Sequence, residues 1–303
     1  WFNETSIEQA RPSFSAQHQY ISTLEDLVAY SKGKMLKRDA QGNRVYTMGV
    51  KTGEKIKSLS GTADVIRYTF AYEEDPQDTG NRPGIYIEFK EPWLNPTGFE
   101  EMVYKELDRL GMNIITRPEA EATPFYVNGK VNTGNTNGKV ILQTFSLESL
   151  VRVSEHFKGA VPMCFLLWKG TGATDITYDD PLGYASFINL GVRYKAHFIG
   201  PCIAGAPNDY PELNQPWQDY LIHKAGMKNH PYTFDTYDQM AKYFGQYNFG
   251  VEIDGKYKAP YLDALFTNHA DMSINYMITQ GWRKSPASET LVDAKEVLER
   301  LGY

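Results

Sequence analysis

The sequence predicts an α/β fold built on a parallel sheet, and two observations lead to this class. Short runs rich in Val, Ile, Leu and Phe alternate with segments whose apolar residues recur at helical spacing, from Ile85 onward. Such alternation is typical of parallel sheets with crossover helices. The 303 residues, of which 42% are hydrophobic and 22% charged, have the composition of an ordinary globular protein with a large core.

Six strand–helix units are predicted between residues 84 and 281. In each unit a strand is followed by an amphipathic helical pattern, and Ser146 is a suitable N-cap for the second helix. A closed parallel barrel needs eight units. The predicted strands are 84–92, 139–145, 161–168, 195–201, 228–234 and 262–268, and the predicted helices are 97–112, 146–159, 181–190, 216–226, 236–245, 270–281 and a terminal helix at 288–302.

The first eighty residues do not supply the two missing strands. Residues 20–34 predict a helix capped by Ser22 or Thr23. Residues 36–83 are too rich in Gly, Asp and Lys for buried barrel strands, and they predict a long insertion with a hairpin formed by 44–49 and 65–72. We therefore expect one domain over residues 1–303, interrupted by this insertion.

Charge and cysteine content narrow the classes of partner. The net charge of −6 argues against a sequence-independent grip on nucleic acid or on an anionic membrane surface. No apolar run approaches the roughly 20 residues of a membrane-spanning helix. The two cysteines, Cys164 and Cys202, are expected to be buried free thiols rather than one disulfide bridge.

The stretch "GIYIEFKEPW", residues 84–93, carries charges within a strand pattern. Alternation along a strand places Tyr86, Glu88 and Lys90 on one face. Buried charges need a partner, a metal or a ligand. One interpretation is an intrastrand ion pair or an exposed sheet edge. The other places both residues in a barrel mouth, with Glu88 on a divalent cation and Lys90 on an anionic substrate.

Polar and aromatic side chains at the ends of three other predicted strands are further candidates. Gln143 ends "VILQ" and Trp168 ends "CFLLW", at the side where parallel barrels place their sites. Tyr232 alternates with His230 in "NHPYTF" and faces the same way. For each of them a structural role remains open: a buried amide for Gln143, packing under a loop for Trp168, and a core histidine at His230.

The ordered set of strand motifs resembles that of the glycerophosphodiester phosphodiesterases. "GIYIEFKEP", "VILQTFSLESL", "FLLW", "FIGP", "AGMKNHPYTF" and "DALFTNHADM" are similar, in order, to the motifs of the family's third to eighth strands. "YISTLEDLVAY" is similar to the helix before the third strand, with Ser22 in place of the usual Pro. "HPYTF" and the long insertion most resemble the bacterial periplasmic branch, which implies a periplasmic or secreted protein.

This resemblance implies a (β/α)₈ TIM barrel of the phosphatidylinositol-phosphodiesterase-like type, with strands three to eight in this chain and an insertion before strand three. It implies metal-dependent hydrolysis of small-molecule glycerophosphodiesters to sn-glycerol 3-phosphate and an alcohol, with Ca²⁺ or Mg²⁺ as cofactor. Glu88 would be a metal carboxylate and Lys90 a phosphate contact. Gln143, Trp168 and Tyr232 would line the substrate side.

The sequence departs from the family pattern in its catalytic motifs. The "HRG" of strand one, the "ExD" of strand two and the following "HD" have no counterpart, so no catalytic residue is assigned within these residues. Because the sequence begins at Trp1, we expect a missing N-terminal segment of the same protein to carry them. A catalytically inactive barrel that binds ligands, or a structural remnant completed by a partner, is the alternative.

Overall fold

The computed structural model describes residues 22–58, 61–78, 80, 84–95, 97–113, 115, 126–127, 130–131, 140–168, 177–246, 251–253, 257–259 and 262–283. The chain divides into two compact units, Trp1–Pro83 with Ser288–Tyr303, and Gly84–Ala287. The predicted terminal helix at 288–302 lies outside the described residues. The expected single domain with an insertion at 36–83 stays a prediction.

The described residues of the first unit form one helix and two small antiparallel pairings. Strands β2 and β3 form a hairpin, and β1 pairs with β4. The predicted hairpin is thus confirmed, although its strands reach further toward the turn than 44–49 and 65–72. The elements are α1 (Leu24–Ser31), β1 (Lys34–Leu36), β2 (Tyr46–Ser58), β3 (Gly61–Phe70) and β4 (Tyr72–Glu74).

Helix α1 begins with a reciprocal hydrogen-bonded cap. The Asp26 backbone N–H donates to Thr23 Oγ1 over 3.2 Å, and the Thr23 N–H donates to Asp26 Oδ2 over 2.7 Å, so Thr23 rather than Ser22 is the cap. The buried Asp26 carboxylate also accepts from Arg44 Nη2 and from the Tyr72 hydroxyl, each over 2.7 Å. One carboxylate therefore joins the helix to the strands of its own unit.

The second unit carries the strand–helix alternation that the sequence predicts, and the α/β class is confirmed. Each main strand is followed by a helix that begins within the predicted segment. Its elements are β5 (Ile85–Glu88), α2 (Phe99–Arg109), β6 (Tyr126–Val127), β7 (Lys130–Val131), β8 (Val140–Thr144), α3 (Leu147–Phe157), β9 (Met163–Leu167), α4 (Pro181–Arg193), β10 (Phe198–Pro201), α5 (Pro216–Lys224), β11 (Lys228–Asn229), α6 (Tyr237–Met240, continued by a π-helical turn Ala241–Gln246), β12 (Val251–Ile253), β13 (Tyr257–Ala259) and α7 (Ala270–Thr279).

Five of these strands form one parallel sheet in the order β11-β10-β9-β8-β5. Consecutive main strands are therefore neighbours, and the order does not reverse anywhere along the sheet. Within the described residues no sheet closes, so the finer prediction of a (β/α)₈ barrel is not observed and stays a prediction. The carboxyl ends of all five strands lie along the same edge.

The two faces of this sheet have different neighbours. On one face, aromatic side chains pack against helices: Phe165 stacks on Phe187 of α4 at 4.3 Å between ring centroids, and Phe89 contacts Phe99 of α2 at 5.7 Å. On the other face a second apolar cluster joins side chains from several strands. Its buried members are Cys164, Leu166 and Phe198, with Tyr86, Ile141, Phe145 and Tyr232 packed against them.

The predictions for the last two strands are only partly correct. The strand predicted at 228–234 is assigned only over Lys228–Asn229, although the His230 and Tyr232 N–H groups still donate to Ile199 O and Pro201 O of β10. No strand is assigned within 262–268. This segment nevertheless runs beside β11 and its continuation, since the Asp263 N–H donates to Asn229 O over 3.1 Å and the Phe266 N–H donates to Pro231 O over 3.0 Å.

The other structural expectations concern thiols, caps and membrane spans. Cys164 and Cys202 are free and buried, as predicted, and burial raises the pKa of each thiol to about 12. Ser146 is the N-cap of α3, its hydroxyl accepting from the Ser149 N–H. Of the helices in the described ranges, none combines the length and the hydropathy that a membrane span requires.

Candidate functional site

A cavity of about 560 Å³ lies at the carboxyl ends of the parallel strands, within the second unit. Parallel α/β sheets bind their ligands at this edge, because the loops that leave the strands there can be varied without disturbing the sheet. The charged side chains that line the cavity are Glu88, Lys90 and Glu91, and the aromatic ones are Trp93, Phe145, Trp168, Tyr210, Tyr232 and Phe266.

All five site residues predicted from the sequence line this one cavity: Glu88, Lys90, Gln143, Trp168 and Tyr232. They come from four different strand ends, and they are separated by up to 144 positions in the chain. The sheet order makes this convergence possible because it places the carboxyl ends of consecutive strands side by side. The structure therefore brings the predicted residues together, while their chemical roles stay predictions.

Glu88 is the last residue of β5 and is half-buried at the base of the cavity. Its Oε1 atom is buried and has no hydrogen-bond partner. Burial raises the pKa of the Glu88 carboxyl, and the positive charge of Lys90 only partly offsets this effect. A carboxylate in this situation is stabilised by any additional cation that reaches Oε1.

Gln143 lies directly beside Glu88, because the two residues are register partners on β8 and β5. The Phe89 N–H donates to Gln143 O over 2.8 Å, and Thr144 Oγ1 donates to Phe89 O over 3.1 Å. These bonds fix the two strand ends relative to each other. Gln143 is only 9% exposed, and its Oε1 atom also has no hydrogen-bond partner.

Lys90 follows β5 at the exposed rim of the cavity. The chain turns at Glu91, whose φ of 44° lies in the left-handed region, and then forms a short 3₁₀ turn at Pro92–Leu94. The Asn95 side chain donates to Lys90 O over 3.2 Å. This turn places an ammonium group and the exposed Trp93 side chain at the opening of the cavity.

One wall of the cavity is aromatic. Trp168 contacts Tyr210 with 5.6 Å between ring centroids, Tyr210 contacts Tyr232 at 6.0 Å, and Phe145 contacts Tyr232 at 5.7 Å. The Tyr232 hydroxyl donates to Leu167 O over 3.0 Å, which holds its ring in place. Tyr210 was missed by the sequence reasoning, since it lies in an irregular loop where no periodicity marks it.

His230 does not line the cavity with Tyr232. It is 2% exposed, stacks on Phe198 at 4.1 Å between ring centroids, and its Nδ1 lies 3.1 Å from the Tyr86 hydroxyl. Burial lowers the pKa of His230 to about 4, so the ring is neutral near pH 7. These contacts favour the structural interpretation of His230.

The described cavity lining contains carboxylates and an ammonium group but no imidazole. In the described ranges, no group of three or more His, Cys, Asp or Glu side chains is placed to hold a metal ion. The oxygen atoms of Glu88 and Gln143 nevertheless fit a hard divalent cation, because they are buried and otherwise unpaired. These two oxygens would supply only part of the coordination sphere of such a cation.

No protein-family model matches the chain, and no curated protein matches it either. What the fold and the site define is thus an α/β domain with a partly charged, partly aromatic cavity at the carboxyl ends of its parallel strands.

Proposed function

We propose that this chain belongs to a metal-dependent phosphodiesterase that hydrolyses glycerophosphodiesters to sn-glycerol 3-phosphate and an alcohol. One observation carries the proposal: five residues chosen from strand motifs line the same cavity. Two of them supply charges of opposite sign, which suits a bound cation and a phosphate group. The aromatic wall suits the uncharged part of a small ligand.

The consecutive strand order supports a barrel as the complete fold. A sheet whose neighbours follow chain order without reversal has the order of a barrel wall, whereas doubly wound sheets reverse at a switch point. An open sheet exposes unpaired backbone groups at its edges, and the segment 262–268 already covers part of the β11 edge. We therefore propose a (β/α)₈ barrel in which the segment 262–268 follows β11 and further strands complete the wall.

Four of the five predicted cavity residues have a role in this proposal. Glu88 holds the cation, and Lys90 neutralises charge on the phosphate. Trp168 and Tyr232 pack against the substrate and keep water away from its apolar atoms. When bound, Ca²⁺ or Mg²⁺ supplies electrostatic stabilisation of the phosphodiester group. The acid–base histidines and the remaining carboxylates would come from a segment of the same protein outside these 303 residues. The same proposal includes export of the protein to the periplasm or the medium.

Activity is tested on the protein that includes its upstream segment. Glycerophosphocholine and other glycerophosphodiesters are supplied with Ca²⁺ or Mg²⁺, and release of glycerol 3-phosphate is measured. Glu88→Gln removes the charge that holds the cation, so we expect turnover to fall by at least about 100-fold. Glu101→Gln, on the exposed face of α2, is the matched control and leaves turnover unchanged. Absence of glycerol 3-phosphate with every substrate and either metal would refute the proposal.

A catalytically inactive binding module is the second candidate. The observation that favours it is the lack of an imidazole among the described lining residues. This candidate predicts saturable binding of a glycerophosphodiester, measured by calorimetry, without product release even when the upstream segment is present. Turnover that depends on Glu88 would exclude it.

A further inference from the structure

Two buried side-chain oxygens at the base of the cavity have no hydrogen-bond partner. They are Oε1 of Glu88 and Oε1 of Gln143. A buried oxygen without a partner destabilises the folded state, and native structures retain few of them. Both residues also line the cavity. Two such atoms side by side require a common explanation.

The backbone places these two side chains at the same height. Glu88 and Gln143 are register partners on adjacent parallel strands, which lie about 4.8 Å apart. Glutamate and glutamine side chains have the same length, so their terminal oxygens can reach the same level above the sheet. Oxygen ligands lie about 2.0–2.6 Å from Mg²⁺ or Ca²⁺, so one cation between the two side chains can contact both oxygens.

The chemistry of the pair also suits a hard cation. Ca²⁺ accepts carboxylate and amide carbonyl oxygens, and Mg²⁺ is commonly held by one or two protein oxygens together with water and phosphate. A hydrogen bond between the two side chains would be the competing arrangement, with the Gln143 amide turned so that its NH₂ group donates to Glu88. The two arrangements predict opposite effects when the Gln143 amide is removed.

We propose that Gln143 Oε1 is a direct ligand of the divalent cation and, with Glu88 Oε1, forms a two-oxygen site. The resemblance to phosphodiesterases assigns Gln143 to the substrate side, so the proposal gives this residue a different role. It rests on the proposed function for the presence of a cation. Water and the phosphate of the substrate complete the coordination.

Cation binding is measured directly with Tb³⁺, a hard ion that prefers the same oxygen ligands as Ca²⁺. Trp93 and Trp168 line the cavity and sensitise Tb³⁺ luminescence when the ion binds nearby. The protein that includes its upstream segment is titrated with Tb³⁺, and Ca²⁺ or Mg²⁺ is then added to displace it. The variants are Glu88→Gln, Gln143→Met, which keeps the length but removes the amide, and Gln143→Asn, which withdraws the oxygen by one methylene. Gln280→Met, at the exposed end of α7, is the matched control.

We expect Glu88→Gln and both Gln143 variants to weaken Tb³⁺ binding by at least about 10-fold, since loss of a group that only orients a ligand already costs about that much. The control should bind as the unchanged chain does.

Two outcomes would contradict this inference. If Glu88→Gln weakens Tb³⁺ binding while Gln143→Met leaves it equal or tighter, Gln143 is a hydrogen-bond donor and this inference is wrong, while the proposed cation survives. Luminescence that is absent, or indifferent to Glu88→Gln, would overturn the cation itself and this inference with it. If the Gln143→Met variant does not fold, the Gln143→Asn variant, which keeps a polar group in the core, provides the test instead.

Discussion

His223 is held between two carboxylates, and this arrangement predicts a loss of stability at alkaline pH. Its Nε2 lies 2.7 Å from Asp263 Oδ2, and its Nδ1 lies 3.1 Å from Asp219 Oδ1. Two carboxylates this close to the ring favour its protonated form, so it carries a positive charge. Lys228 Nζ lies 2.8 Å from the other oxygen of Asp263, which balances two positive and two negative charges.

The magnitude follows from the pKa of His223. Burial alone would lower this pKa, but the hydrogen bonds to Asp219 and Asp263 raise it from 6.5 to about 9. Burial raises the pKa of Asp219, whereas at Asp263 the contacts with His223 and Lys228 outweigh burial and lower the pKa. Because His223 binds its proton more tightly in the folded state, its contribution is complete below pH 6.5 and is lost as the pH rises through about 9. The linked free energy is about 3 kcal/mol.

The assay is urea-induced unfolding at a series of pH values between about 6 and 10, followed by tryptophan fluorescence. Four of the five tryptophans lie in Gly84–Ala287, so the signal reports mainly on the unit that contains His223. His223→Gln cannot titrate. We expect it to be about 3 kcal/mol less stable than the unchanged chain near pH 6, with the difference closing toward pH 10.

His197→Asn is the matched control for this experiment. His197 is half-buried, and its Nδ1 accepts from the Met163 N–H over 3.1 Å. Burial lowers the pKa of His197 from 6.5 to about 4, so its linkage has the opposite sign to that of His223. Its variant should lose the same stability at every pH above about 8, and about 1 kcal/mol less near pH 6. Equal pH slopes for the unchanged chain and His223→Gln would refute the reasoning.

Two further predictions concern packing around the sheet and between its helices. At Gly200, an added Cβ would lie 2.7 Å from Leu166 Cδ2; we expect Gly200→Ala to cost about 1–3 kcal/mol in urea unfolding, and an unchanged midpoint would contradict this. Arg152 binds both oxygens of the buried Glu100 at 2.9 Å; Arg152→Met should cost about 2 kcal/mol by leaving that charge unpaired. Lys105→Met, which removes an exposed ion pair on α2, should have no measurable effect, and equal losses would contradict the buried pair.

The elements that the sequence predicts well are those whose pattern is set by burial. Strand β9 is continuously apolar because both of its faces are covered, and α3 alternates because only one side of it is buried. The N-cap of α3 was also predictable from the sequence, since the hydroxyl of Ser146 can accept a hydrogen bond from the first free N–H groups of a helix. The prediction for 262–268 was weaker, because the few backbone hydrogen bonds between this segment and residues 229–231 are long-range contacts that no local pattern encodes.

The candidate site was predictable where it depends on strand ends. Glu88 and Gln143 follow from alternation along a strand and from the rule that parallel strands end at one edge. Tyr210 and Trp93 lie in irregular segments, where neither periodicity nor a strand end gives a signal, so only the structure places them in the wall and at the opening of the cavity. The predicted closure of the sheet into a barrel depends on long-range pairing that no local pattern encodes, and it stays a prediction.

Buried side-chain atoms without a hydrogen-bond partner occur near both ends of the parallel sheet, for example Asp219 Oδ2 near the amino ends, but those at the carboxyl ends border a cavity. Near the amino ends, His223 and Lys228 balance the charges of Asp219 and Asp263 over contacts of at most 3.1 Å. At the carboxyl ends, Glu88 and Gln143 keep buried oxygens without a hydrogen-bond partner beside an open cavity. Either oxygen could be removed by an apolar substitution at a gain in stability. A ligand that binds these oxygens would remove their cost in stability and so explain their presence. A divalent cation is the ligand that their chemistry favours.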